Sequence, residues 1–96
     1  MSADNGIYIL ITPHPSEDNS REHRVAVCSA IENIHSEESE KYLLMYFGKC
    51  EPMANRIEAM SAALDLYDKL IDDGGIVEYG VQQIKLDTPF PILAPV

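Results

Sequence analysis

A chain of 96 residues with seven basic and sixteen acidic side chains, a net charge of −9 and 46% hydrophobic residues has room for one domain, because much smaller units struggle to bury a core. The negative balance repels phosphate backbones and disfavours direct binding of nucleic acid. There is no apolar run of about 18 residues and no basic leader before an apolar segment, and the two cysteines form no CxxC pair. These features predict a soluble, non-secreted chain in a reducing cytoplasm, with no membrane partner.

In chain order, Ala3-Asp4-Asn5-Gly6 is turn chemistry, and Ile7-Tyr8-Ile9-Leu10-Ile11-Thr12 is a β-branched and aromatic run stopped by Pro13, which predicts a strand. Both of its alternating faces are apolar, so it should be covered on two sides or lie centrally in a sheet. Residues 13–22, PHPSEDNSRE, read as a polar loop of about ten residues. His23-Arg24-Val25-Ala26-Val27-Cys28 resumes strand character and is expected to pair antiparallel with the first strand. Residues 29–34 read either as a continuation or as a short helical turn.

From Ser36 the pattern changes, with Glu37, Glu38 and Glu40 following a capping serine and Tyr42, Met45 and Tyr46 sharing one face before Gly48. Cap and acids select a short helix, although Tyr42 to Phe47 has the composition of a buried strand as well. Residues 55–75, NRIEAMSAALDLYDKLIDDGG, are the clearest element. Ile57, Met60, Leu64, Tyr67 and Ile71, with Ala63 and Leu70 alongside, fall at i, i+3, i+4, i+7 spacing and predict a core-facing helix stripe. Truncating Leu64 to Ala should then cost about 2–5 kcal/mol. Asn55 with Glu58 reads as a capping box, and Gly74 as the helix end. The opposite arc holds Glu58, Ser61, Asp65, Asp68, Lys69, Asp72 and Asp73. Residues 76–86 alternate well enough for a last strand, with Val77, Tyr79, Val81 and Gln83 facing one way. Residues 87–96, DTPFPILAPV, hold three prolines and read as an extended arm following a domain spanning 1–86, packed on its own domain or on another one, and replacing Pro89 to Val96 should leave the monomer folded. The expected architecture is α+β, a small antiparallel sheet of about three strands against one long amphipathic helix, with a possible second short helix.

Asp4-Asn5-Gly6-Ile7-Tyr8-Ile9-Leu10, Ala30-Ile31-Glu32-Asn33-Ile34, Tyr46-Phe47-Gly48 and Glu78-Tyr79-Gly80-Val81 occur in that order over nearly the whole chain. In this the sequence resembles small bacteriophage proteins of the DNGIYIL…EYG type. The resemblance implies a phage-encoded protein acting in the cytoplasm of an infected bacterium, and it carries over no functional residue.

The residues offer little to chemistry. His14, His23 and His35 stand at no ligand spacing with each other or with Cys28 and Cys50. A Cys28–His23 nucleophile pair would lie on opposite faces of a regular strand. Neither a phosphate loop nor a G-x-G-x-x-G occurs, and Asp65, Asp68 and Asp72 read as a solvated helix face lacking the cleft that acid–base carboxylates need. No catalytic residue, cofactor or metal is expected. The leading expectation is a non-catalytic anti-defence inhibitor of the anti-CRISPR kind, which binds a host protein or nucleoprotein complex with a basic surface. Its contacts would be Glu58, Asp65, Asp68 and Asp72 on the long helix and Glu37, Glu38, Glu40, Tyr42 and Tyr46 on the short one, with Tyr8 and Phe90 as further aromatic anchors. Mimicry of DNA by the long helix alone is too sparse: its stripe spaces carboxylates about 5 Å apart, against a duplex charge about every 1.7 Å. The alternatives are a sponge for a nucleotide signal, for which Arg21, Arg24 and Arg56 are the available arginines, and a structural protein that forms a homodimer.

Overall fold

The structure, a computed structural model, describes residues 5–17, 19–29 and 36–90. Along the chain they form β1 (Asn5–Pro13), β2 (Arg21–Ser29), α1 (Glu37–Phe47), α2 (Arg56–Asp72) and β3 (Val81–Lys85), an α+β fold. The sheet order is β2-β1-β3, with β1 and β2 antiparallel. Central placement and double cover both hold for β1. Its Ile7 and Ile9 belong to the cluster that includes Ala59 and Ala63 of α2, whereas Tyr8 and Leu10 belong to the one that includes Leu43 and Phe47 of α1. One helix therefore lies on each face of the sheet, as the two-residue side-chain period of a strand dictates.

Two expectations change at the sheet. β3 runs parallel to β1, pairing Ile7 with Val81 through Ile11 with Lys85, so the sheet is mixed. The reason is the connection: the chain from β2 returns through two helices, and a crossover of that length delivers a parallel strand where a tight hairpin delivers an antiparallel one. The strand is also shorter than its alternation predicts, because residues 76–80 are held by a turn. Asn5 organises that turn. Its carbonyl accepts the Tyr79 N–H at 3.0 Å, its Oδ1 accepts the Glu78 N–H at 3.2 Å, and the Ile7 N–H donates to the Gly80 carbonyl at 2.8 Å. Gly80 has φ +65°, and a Cβ on Gly6 would stand 3.3 Å from that of Tyr79. The Asn-Gly-Ile and Glu-Tyr-Gly motifs at the two ends of the chain are thus one structural junction.

The loop is shorter than expected, since β1 extends through Pro13 and β2 begins at Arg21. Residues 14–20 close with the His14 N–H on the Ser20 carbonyl at 2.9 Å, and Asn19 takes the left-handed conformation at φ 62°. The outer edge of β2 is covered: His23 and Met53 exchange backbone hydrogen bonds of 3.0 and 2.7 Å, and the Tyr46 hydroxyl donates to the Val27 carbonyl at 2.6 Å. Both helix starts carry the predicted caps, with Ser36 Oγ accepting the Ser39 N–H and Asn55 Oδ1 accepting the Glu58 N–H. At the end of α2, Gly74 at φ 83° donates to Ile71 and Gly75 to Leu70, the double bond of a left-handed helix stop.

The chain beyond β3 packs on its own domain as far as Phe90. Leu86 and Phe90 are buried with Phe47 and Leu43, so of the two packings expected for the arm the one on its own domain holds as far as Phe90, and replacing residues 89–96 would remove that core side chain. The arm's residues 91–96, the 30–35 segment with its motif and its ambiguous turn, and the Ala3-Asp4 turn lie outside the described residues.

Candidate interaction surface

α2 meets the sheet differently from the predicted stripe. Ala59 and Ala63 are fully buried against Ile7 and Ile9, with Met60, Leu66, Tyr67 and Leu70 partly buried beside them. Of the predicted stripe, Ile57 is 83% exposed, Leu64 51% and Ile71 44%. The helix is rolled so that its smallest side chains face β1, which lets the two backbones approach. At seven-residue spacing these three residues form a ridge with about 10 Å between members. On the wheel, Asp68 lies next to the ridge, with Asp72, Asp65 and Glu58 one row further round, and all four are exposed. The surface is therefore a half-exposed aliphatic line with an acidic flank. The truncation cost expected for Leu64 falls to about 1 kcal/mol, half of what a fully buried leucine contributes.

The remaining candidates lie elsewhere. Glu37, Glu38, Tyr42 and Tyr46 are exposed on α1 and Glu40 is half-buried, across the sheet from α2, so the nine expected contact residues make two separate surfaces. Tyr42 stacks on Tyr46 with ring centroids 5.8 Å apart, and the Val27 bond fixes Tyr46 in place. Burial pushes the Tyr46 hydroxyl above its usual range, with smaller contributions from Cys28, Tyr42 and Cys50. Tyr8 and Phe90 are buried; as proposed anchors they are corrected to core residues.

Arg24 is the most heavily used polar side chain. Its Nη1 donates to the carbonyls of Phe47, Gly48 and Cys50 at 3.2, 3.3 and 3.2 Å, its Nη2 pairs with Glu22 at 3.2 Å, and its guanidinium sits 3.8 Å from the Phe90 ring centroid. It closes the end of α1 on β2. No sequence pattern points to this role, because apart from Glu22 each partner is distant or backbone.

His23 shares the α2 side of β2 with Val25 and Val27, while Cys28 faces α1, so the two are indeed separated by the sheet. Burial lifts the Cys28 thiol to about 11 and raises that of Cys50 as well, which keeps both protonated and poorly nucleophilic at neutral pH. Burial lowers the pKa of His23, and the charges of Arg21 and Arg56 add to this against an opposing backbone bond at Met53. Among the described residues, no group of three or more His, Cys, Asp or Glu side chains is placed to hold a metal ion, and no helix is long and apolar enough to cross a membrane.

No family model matches the sequence, and neither a curated protein nor a solved structure with significant similarity was found.

The ridge was missed because seven-residue spacing in aliphatic residues ordinarily marks a core stripe. The available signal was Ala59 and Ala63, an i, i+4 pair of small residues facing strand residues as large as isoleucine.

Proposed function

We propose that the protein is a non-catalytic binding module that docks an amphipathic, basic segment of a partner protein along α2. The observation that carries this reading is the line of Ile57, Leu64 and Ile71, left in solvent with Asp68 alongside and Asp72 and Asp65 one row further round. Aliphatic side chains in register at one helix face supply the buried part of a helix-to-helix contact, and the neighbouring carboxylates supply attraction and orientation for lysines or arginines. A second copy of the chain fits poorly, since pairing would bring two acidic flanks of a chain with net charge −9 together. The carboxylates of the last turns are opposed locally by Lys69 alone, in a position where the helix dipole disfavours them by about 0.3–1 kcal/mol each; a cationic partner offsets that cost. The setting, an anti-defence role against a host protein or nucleoprotein complex in an infected bacterium, rests on the resemblance to phage proteins alone.

The test is affinity capture from infected host cells followed by kinetics on the recovered partner. Wild-type protein should retain a basic host protein that Leu64→Glu releases, with circular dichroism showing both folded. The Asp68→Lys, Asp72→Lys double variant should be slightly more heat-stable, associate more slowly and show a flatter salt dependence. A partner held equally by all three proteins overturns the reading, and a homodimer in light scattering replaces it with self-assembly.

A further inference from the structure

We propose that the cleft between α1 and the segment ending at Phe90 is a binding site for a small organic anion with an apolar body. This proposal is independent of the α2 surface, which lies across the sheet. The cleft encloses about 620 Å³ and is lined by Arg24, Lys41, Leu44, Met45, Gly48, Lys49 and Phe90. That volume falls within the range of about 300–1,000 Å³ typical of small-molecule sites.

Its charge sets it apart from the rest of the molecule. Three of the chain's seven basic residues line it, while none of the sixteen acidic ones is among its described lining residues. The hollow of about 400 Å³ beside the β1–β2 turn is different, since Glu17 and Glu22 face Arg21 there, and its His14 Nδ1 already accepts the N–H groups of Ser16 and Glu17.

Two features make the larger cleft hospitable to an anion. The C-terminal end of a helix ordinarily repels negative charge through its free carbonyls, but Arg24 occupies those of Phe47, Gly48 and Cys50. Arg24 is itself balanced by Glu22. The uncompensated charges are then Lys41 and Lys49, neither of which has an ion-pair partner among the described residues. Lys41, Leu44, Met45 and Gly48 follow i, i+3, i+4, i+7 spacing and so share one face of α1, which places a cation at the end of an apolar wall made by Leu44, Met45 and the Phe90 ring. Met45 is 76% exposed, and a thioether on an open wall adapts to ligands of varied shape. A carboxylate or phosphate reached by the lysine side chains, with its hydrocarbon on that wall, uses the lining groups that Arg24 leaves free.

Octanoate, octyl phosphate and octanol titrated into the labelled full-length protein by two-dimensional NMR test the assignment. Either anion should shift the Gly48 and Lys49 amides and the Leu44 and Met45 methyls, and the tighter of the two identifies the head group. Octanol should bind about tenfold more weakly, as expected if two exposed charge contacts of about 0.5–1 kcal/mol each are lost. Lys41→Gln with Lys49→Gln should weaken both anions by a similar factor while leaving octanol unchanged. The proposal falls if neither anion binds, if octanol equals them, if the double variant binds them as wild type does, or if the shifts map to Ile57 and Leu64 instead.

Discussion

The two helices solve the same packing problem in opposite ways. α1 has 11 residues and buries large ones, Leu43 and Phe47, against Tyr8 and Leu10. α2 has 17 residues and buries small ones, Ala59 and Ala63, against Ile7 and Ile9. α1 seats its largest apolar residues and leaves Tyr42, Met45 and Tyr46 outside, whereas α2 seats alanines and leaves Ile57, Leu64 and Ile71 for another surface. The difference is in what faces the strand. On the α1 side β1 presents Tyr8 and Leu10 in a layer widened by Phe90, and on the α2 side Ile7 and Ile9 fill the space themselves.

The comparison breaks most visibly at Phe47. Phe47→Ala should destabilise the fold by about 3–5 kcal/mol, the usual cost of emptying a buried aromatic site, because Phe47 is fully buried. Chemical denaturation would measure it, and a loss below 1 kcal/mol, roughly a surface-level effect, would remove α1 from the core. On the other side the damaging change is enlargement. Ala63→Leu should cost about 1–3 kcal/mol by overpacking, with α2 displaced from β1; a neutral or stabilising result would mean that the close approach does not limit packing there.

These opposite sensitivities show why the fold was largely legible in the sequence and the surface was not. The caps at Ser36, Asn55 and Gly74, the doubly apolar β1 and the antiparallel β1–β2 pair are local matters of hydrogen bonding and side-chain period, and each occurs as its residues predict. The direction of β3 depends on where two helices deliver the chain, which no residue near Val81 encodes. The roll of α2 depends on what β1 presents: of the predicted stripe, Met60, Ala63, Tyr67 and Leu70 do pack on the core, while Ala59 takes the place that the spacing predicts for Ile57, Leu64 and Ile71. The prolines around Phe90 predict an arm, although Arg24 and Phe47 make its place in the core. The acidic flank was legible, since charge seeks solvent whichever apolar stripe is buried.

A smaller effect is expected at His23, on the α2 side of β2. Its pKa is lowered by burial and by Arg21 and Arg56, so the unfolded chain binds more protons than the folded one once pH drops toward the ordinary value of 6.5. Stability is therefore complete above that value and declines as pH falls through it toward the folded-state pKa. His23→Gln should flatten this limb of the stability curve. An unchanged slope would place the titration elsewhere.

The smallest effect on stability and the sharpest on function belong to the ridge. Ile57→Ser should alter stability by no more than about 0.5 kcal/mol, as surface changes do, given that the side chain is 83% exposed. Leu64→Ala should cost about 1 kcal/mol for the half of the side chain that is covered. Both fall well below the Phe47 loss, which is what separates a ridge outside the core from a stripe inside it. If the ridge is a docking surface, the same two substitutions should each accelerate partner dissociation, because truncating an aliphatic contact acts on lifetime, while the Asp68 and Asp72 reversals act on the rate of encounter. A melting temperature that falls as far for Leu64→Ala as for Phe47→Ala would put α2 back in the orientation its spacing predicts, and the surface proposed for it would then be the core.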